Sequence, residues 1–277
     1  MMTPAYPLPK SLELCRALME EPQRALELTG KGRTVALISD GGQIPGLGAI
    51  PAQAALPYLE DQAHLIRKMT NLVTMPLALN AKSSEDLAQV TAILAPACGI
   101  LCLESLGDEV YQATERLLRP LNLPVFFNPQ ESRPILALCA LTRALALTDR
   151  KIAETRIVLA GFESDSLAMV DLLLAAGAVN LVVCDRSGAI HKGRPGPTSW
   201  LKEQLAQKTN PQQIKGGLNR SLSGADVYIS RATPVGLSKD SLNLMAPRPI
   251  VLNFSQALLS PNLLTAANNP LGLGFGP

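Results

Sequence analysis

Two α/β domains, each a parallel sheet covered by helices, are predicted by three features of the 277-residue sequence. Short Val/Ile/Leu runs alternate with longer amphipathic segments, the pattern of parallel strands joined by crossover helices. Hydrophobic residues make up 47% and charged residues only 17%, enough for a real core and contrary to a disordered chain. The composition turns charged at Asp149–Glu154 (DRKIAE), and a fresh strand–helix series starts there. The expected domains are therefore 1–149 and 150–277.

TVALIS (34–39) reads as the first strand, followed by the Gly-rich turn DGGQIPGLG. PAQAALPYLEDQAHLIRKM (51–69) reads as a helix with Pro51 in its first turn. MPLALN (75–80) is a strand, and SSEDLAQVTAILAP (83–96) a helix that Ser83 or Ser84 can cap. GILCLE (99–104), GDEVYQATERLLR (107–119) and PVFFN (124–128) follow as strand, helix and strand. PILALCALTRALALT (134–148) is apolar nearly all round and is expected to be buried. In the second series, TRIVLAG (155–161) is a strand, SLAMVDLLLAAGA (166–178) a helix and NLVVCDRSG (180–188) a strand. The helix WLKEQLAQKT and the strands ADVYISRA (225–232) and PIVLNFS (249–255) complete the series. The closing NNPLGLGFGP is Gly/Pro-rich and expected to be irregular.

Charge and composition restrict the partners. Lys+Arg 25 against Asp+Glu 23 leaves a formal charge of +2, too little to recruit nucleic acid or a membrane surface. Aromatic residues at 4% argue against stacking platforms for single strands. The longest apolar runs are strand-sized, and MMTPAYPLPK shows no basic segment followed by an apolar stretch. The five cysteines, Cys15, Cys98, Cys102, Cys139 and Cys184, are odd in number and mostly set in apolar runs. That usage suits thiols in a reducing cytoplasm, and Cys98 and Cys102 lack the further Cys or His that zinc needs. His64 and His191 have no neighbouring cluster at ligand spacing, so surface or packing roles are expected of both.

Four segments carry a family resemblance: AYPLPKSLELC (5–15), TGKGRTVALISDGGQIPGLGAIPAQAALPYLE (29–60), LVVCDRSGAIHKGR (181–194) and GADVYIS (224–230). In order and spacing the chain resembles the compact bacterial malic enzymes, as a truncated and divergent member. The resemblance implies an N-terminal malic-enzyme-like α/β domain followed by a Rossmann-like doubly wound parallel-sheet domain that binds NAD(P). It also implies a homodimer, and oxidation and decarboxylation of malate with NAD(P) and a divalent Mg²⁺ or Mn²⁺. NAD(P) and Mg²⁺ or Mn²⁺ are implied by the resemblance alone.

Residue by residue, the resemblance carries over unevenly. Tyr6 matches the family's tyrosine acid/base, but Gln62 stands at the position of its lysine base, and an amide is no proton acceptor near neutral pH. Lys68 lies about a turn and a half further on and is expected to face elsewhere. Of three carboxylates at the metal positions only Glu104 remains, with Ser105 and Pro129 at the others, too few for a hard cation. Glu131 and Arg133 stand at His- and Thr-type positions. Either they are solvated loop residues, or Arg133 replaces the metal's charge and pairs with Glu104.

The phosphate-binding turn G-x-G-x-x-G reads Gly161-Phe162-Glu163-Ser164-Asp165-Ser166, with only the first glycine kept. Glu163 and Asp165 would repel a phosphate, and they suit the helix N-terminus as partners of its dipole. Asp185 ends the second strand of its domain where an acid would hold the adenosine ribose, and with Arg186 and Gly161 it completes the cofactor-binding candidates. Gln256 aligns with the family's substrate-contacting asparagine, and Asn268 or Asn269 is a candidate remnant of a later segment.

The residues therefore lead to a malic-enzyme-like protein that has lost catalysis and serves in binding a small organic acid or a protein. Two alternatives stand beside it. One is an active NAD(P)-dependent malate dehydrogenase of the oxaloacetate-decarboxylating type. The other is an enzyme with new chemistry built on Tyr6, Glu104, Glu131 and Arg133.

Overall fold

The computed structural model describes residues 9–162, 165–196, 199–230, 238–254 and 271–274. The chain divides into two compact units, Met1–Pro129 and Gln130–Pro277. The first begins with helices α1 (Pro9–Glu20) and α2 (Ala25–Leu28). It continues as β1 (Thr34–Ser39), α3 (Leu56–Met69), β2 (Val73–Ala78), α4 (Ser84–Leu94), β3 (Ile100–Glu104), α5 (Asp108–Leu118) and β4 (Val125–Asn128). Its four strands are all parallel, in the order β2-β1-β3-β4.

Alternation along the strands explains both faces of this sheet. Val35, Leu37, Cys102 and Phe126 pack with Leu59 and Ala63 of α3. Ala36, Ile38, Leu101, Leu103 and Phe127 pack on the opposite side with Leu87 of α4 and Tyr111 of α5. β1 gives rise to β2 on one side and lies beside β3 on the other, so the strand order reverses between β1 and β3. Ligands of open α/β sheets gather at the carboxyl ends of the strands at such a reversal.

The second unit comprises α6 (Ser132–Leu147), β5 (Arg156–Ala160), α7 (Ser166–Ala175), β6 (Asn180–Asp185) and β7 (Gly188–Ala189). α8 (Trp200–Lys208), α9 (Leu218–Leu222), β8 (Val227–Ser230), α10 (Lys239–Asn243), β9 (Ile250–Asn253) and β10 (Leu271–Gly274) follow. The strand order is β10-β9-β8-β5-β6-β7, parallel except for β7. One face carries Ile157, Leu159, Leu181, Val183 and Ile229 against α6, α7 and Leu205 of α8. The other carries Val158, Val182, Tyr228 and Val251 against Leu222 and Leu242. This is the doubly wound sheet expected of a Rossmann-like domain.

Five expectations need correction. The break falls at 129/130 rather than 149/150, because α6 buries Ala137, Leu141, Ala144 and Leu145 in the second core. α6 is not buried all round: Ile135, Leu136 and Leu147 are 49%, 54% and 56% exposed along one stripe. β2 starts two residues before the expected 75, because its ladder with β1 runs from Thr34↔Val73 to Ser39↔Ala78. Within the closing stretch expected to be irregular, Leu271–Gly274 is a strand, its backbone ladder with β9 overriding the weak strand propensity of glycine. The expected strand 180–188 is also interrupted. Asp185 accepts the backbone N–H of Ser187 at 2.8 Å, a tight turn forms, and β7 returns antiparallel. Gly188 is required there: a Cβ would lie 2.1 Å from the Gly216 carbonyl oxygen, at a φ of +108°.

Replacing Leu103, which is fully buried, should cost about 2–5 kcal/mol as Leu103→Ala. Leu136→Ser on the exposed stripe should stay within roughly 0.5 kcal/mol of wild type. Denaturant titration of the two variants checks both values, and equal losses would contradict the burial of Leu103 and the exposure of Leu136.

Candidate functional site

In the first unit, polar side chains gather at the carboxyl ends of β3 and β4. Glu104 and Asn128 are ladder partners at the last position of each strand. They share the strand parity of Cys102 and Phe126, so both side chains project to the α3 face. Glu104 is only 2% exposed. Its Oε1 accepts the Tyr58 hydroxyl at 2.9 Å and the Ser105 hydroxyl at 3.2 Å. The Asn128 amide nitrogen stands 2.8 Å from both carboxylate oxygens. Burial pushes the Glu104 carboxyl above its ordinary value, against the hydrogen bonds from Asn128, Tyr58 and Ser105 that pull it down.

Backbone geometry closes this cage. Ser105 turns to a φ of +54°, a conformation that asparagine and aspartate adopt more readily. Its N–H donates to the Asn128 carbonyl at 2.8 Å, and its carbonyl accepts the Gln43 N–H at 2.9 Å. The following Asn128–Pro129 peptide bond is cis. Gln62 lies one helical turn beyond Tyr58 on α3 and is half-buried, whereas Lys68 and His64 are exposed.

In the second unit, Asp185 ends β6 with its side chain 7% exposed. Oδ1 accepts Arg194 at 2.8 Å and the Ser187 N–H at 2.8 Å, and Oδ2 meets the Lys202 ammonium at 2.9 Å. Burial raises the Asp185 carboxyl, but the bonds from Arg194, Lys202 and Ser187 outweigh it and hold the group below its ordinary value. The Lys202 ammonium also lies 5.1 Å over the Phe162 ring, so one cation links α8 to the turn after β5 and the end of β6. Gly161 opens that turn at a φ of +110°, with its N–H on the Cys184 carbonyl at 3.0 Å. Asp165 is buried at the N-terminus of α7. Outside β7 lies a cavity of about 550 Å³ whose lining includes His191, Lys192, Arg194, Lys202, Glu203 and Gln207.

Among the predicted residues, Glu104 stands within the first cage and Gln62 one turn from its tyrosine. Gly161 and Asp185 frame the second site, while Arg186 is exposed. Glu131 and Arg133 are half-buried at the N-terminus of α6 and belong to the second unit. Tyr6, Glu163, Ser164, Gln256, Asn268 and Asn269 lie outside the described residues. His191 is buried, its Nδ1 2.9 Å from the Lys192 carbonyl, which agrees with a packing role. Among the described residues no group of three His, Cys, Asp or Glu converges as a metal site would require, no cysteine forms a disulfide, and no helix is long and apolar enough to cross a membrane.

Comparison with known proteins shows what the chain as a whole resembles. The NAD-dependent malic enzyme of Geobacillus stearothermophilus is 35% identical over 251 residues, which are 90% of this chain and 52% of that protein. The bifunctional malic/malolactic enzyme of Bacillus subtilis is 31% identical over 257 residues, 92% of this chain and 62% of that protein. The crystal structure of the NAD-dependent malic enzyme from Thermotoga maritima matches with a TM-score of 0.88 at 26% identity, covering 99% of this chain and 76% of that one. The chain is malic-enzyme-like. No family model matches it. It spans about half of the Geobacillus relative and under two thirds of the Bacillus one.

Three groups of the malic-enzyme-like chain went unforeseen in its sequence: Tyr58, the Arg194–Lys202 pair and Phe162. Tyr58 could have been found from its spacing of four from Gln62. Lys202 has no local signal, since only the packing of α8 brings it to Asp185.

Asp185 titrates at a lower pH in the folded chain than in the unfolded one. Its stabilising contribution is therefore present above the ordinary carboxylate pKa of about 3.9 and is lost as pH falls through the folded value. Asp185→Asn should melt well below wild type at neutral pH, and the gap should narrow on acidification. Thermal melts across that range decide it, and a gap independent of pH would contradict the assignment.

Proposed function

We propose that this malic-enzyme-like chain has lost catalysis and acts in binding a small organic acid or a protein. The observation that carries the reading is the Glu104 cage. Hard cations such as Mg²⁺ and Mn²⁺ need several oxygen ligands, with carboxylates to offset their dehydration. Here a single carboxylate already accepts Tyr58, Ser105 and Asn128, so the donor set does not fit the cation the family implies. Gln62, near the same cage, offers an amide where a base is needed.

The second unit supports the same reading. A pyrophosphate at the N-terminus of α7 would meet buried Asp165, and the sequence of the turn has Glu163 where the motif places its second glycine. Asp185, the candidate ribose acceptor, already takes two cations and a backbone N–H. These residues do not fit a dinucleotide held in the family's manner. The first unit is read as a malic-enzyme N-terminal-like domain and the second as an NAD(P)-binding-type Rossmann-like domain. A cytoplasmic setting suits the cysteine usage, and the exposed stripe of α6 is consistent with a homodimer.

One observation favours the alternative of an active NAD(P)-dependent malic enzyme. Asp185 keeps its place at the end of β6, and a cavity with Lys192, Arg194 and Lys202 in its lining lies beside it. That lining suits an anionic ligand.

Incubation of the purified chain with malate, Mn²⁺ and NAD or NADP should produce no reduced nicotinamide, read by its absorbance. Malate alone should raise the melting temperature if the retained role is acid binding, by about 2.7 kcal/mol of stabilisation at a hundredfold excess over Kd. Steady accumulation of reduced nicotinamide, lost in Glu104→Gln, would overturn the loss of catalysis.

A further inference from the structure

We infer that Asn128 excludes a divalent cation from the first unit by filling the place a cation would take on Glu104. Its amide nitrogen is equidistant from the two carboxylate oxygens, 2.8 Å from each. That equidistance is the geometry of a cation held by both oxygens of one carboxylate. Divalent oxygen-ligated cations sit about 2.0–2.6 Å from their ligands, so a metal there would overlap the amide nitrogen. The amide supplies donor hydrogens to the same lone pairs and carries no dehydration cost of an ion.

Asn128 is not placed to swing away freely. Its backbone carbonyl accepts the Ser105 N–H at 2.8 Å, and it is the ladder partner of Glu104. From the other side, the Tyr58 hydroxyl reaches the same Oε1 at 2.9 Å and lies 3.3 Å from the Ser105 hydroxyl. The carboxylate is thus enclosed by neutral donors from α3, the end of β3 and the end of β4. Asn128 is the residue that determines this, because among Tyr58, Ser105 and Asn128 it alone contacts both carboxylate oxygens. Any ligand of this unit is accordingly bound without a divalent metal at Glu104.

The inference deepens the reading of lost catalysis, and its test reads metal binding rather than turnover. Mn²⁺ is titrated into the purified full chain and followed by the paramagnetic signal of the free ion, with thermal melts run in parallel. Wild type and Glu104→Gln should retain the same small amount of Mn²⁺, since the cage holds none. Asn128→Asp turns the filled place into a pair of carboxylates. It should bind Mn²⁺ at least about tenfold more tightly than wild type and gain a Mn²⁺-dependent rise in melting temperature. If Asn128→Asp does not melt cooperatively, Asn128→Ala, which empties the place without adding charge, is read instead and should gain a weaker Mn²⁺ site. A stoichiometric wild-type site that Glu104→Gln removes overturns the inference. So does a folded Asn128 variant with no gain in Mn²⁺ affinity. Turnover of malate by wild type that carries no Mn²⁺ at Glu104 would overturn the loss of catalysis and leave the inference standing.

Discussion

A carboxylate withdrawn from water must be met by donors, or the chain loses several kcal/mol to its desolvation. Glu104 imposes this requirement on the whole carboxyl edge of the first sheet. Strand alternation sets Asn128 beside it, α3 brings the Tyr58 hydroxyl over it, and the left-handed turn at Ser105 supplies a second hydroxyl. None of these donors is charged. The carboxyl group consequently stays above its ordinary pKa, because neutral hydrogen bonds offset only part of the burial.

The second unit solves the same problem in the opposite way. Asp185 is met by a guanidinium and an ammonium, and its proton affinity falls instead of rising. The two acids occupy comparable places, each at the carboxyl end of a strand in a doubly wound sheet. Their opposite shifts show that the fold fixes the location of a polar site, while the side chains around it fix its chemistry.

Much of the fold was legible in the sequence because alternating apolar runs report strands buried on both faces. TVALIS gave β1 to the residue, and LVVCD marked β6 up to its terminal acid. What failed was everything decided by neighbours. The exposed stripe of α6 carries Ile135, Leu136 and Leu147 beside Thr142 and Arg143, so its apolar residues run nearly all round the helix and do not mark the buried side. The strand at Leu271–Gly274 exists because β9 offers it a ladder. Glu104 and Asp185 could be named in advance, since acids at strand ends are conspicuous. Their pairings could not: Tyr58, which its spacing from Gln62 marks, lies 46 residues from Glu104, and Lys202 approaches Asp185 only through helix packing.

The allegiance of α6 carries a consequence for how the chain can be divided. Although the helix starts four residues after β4, its buried side belongs to the later core, with Ala137, Leu141 and Leu145 packed among Ile157, Val170 and Ile250. A gene cut at codon 130 would hand each half an intact interior. A cut at codon 150, where the charged run invites it, would strip a wall from one half and append a sticky, solvent-facing rod to the other.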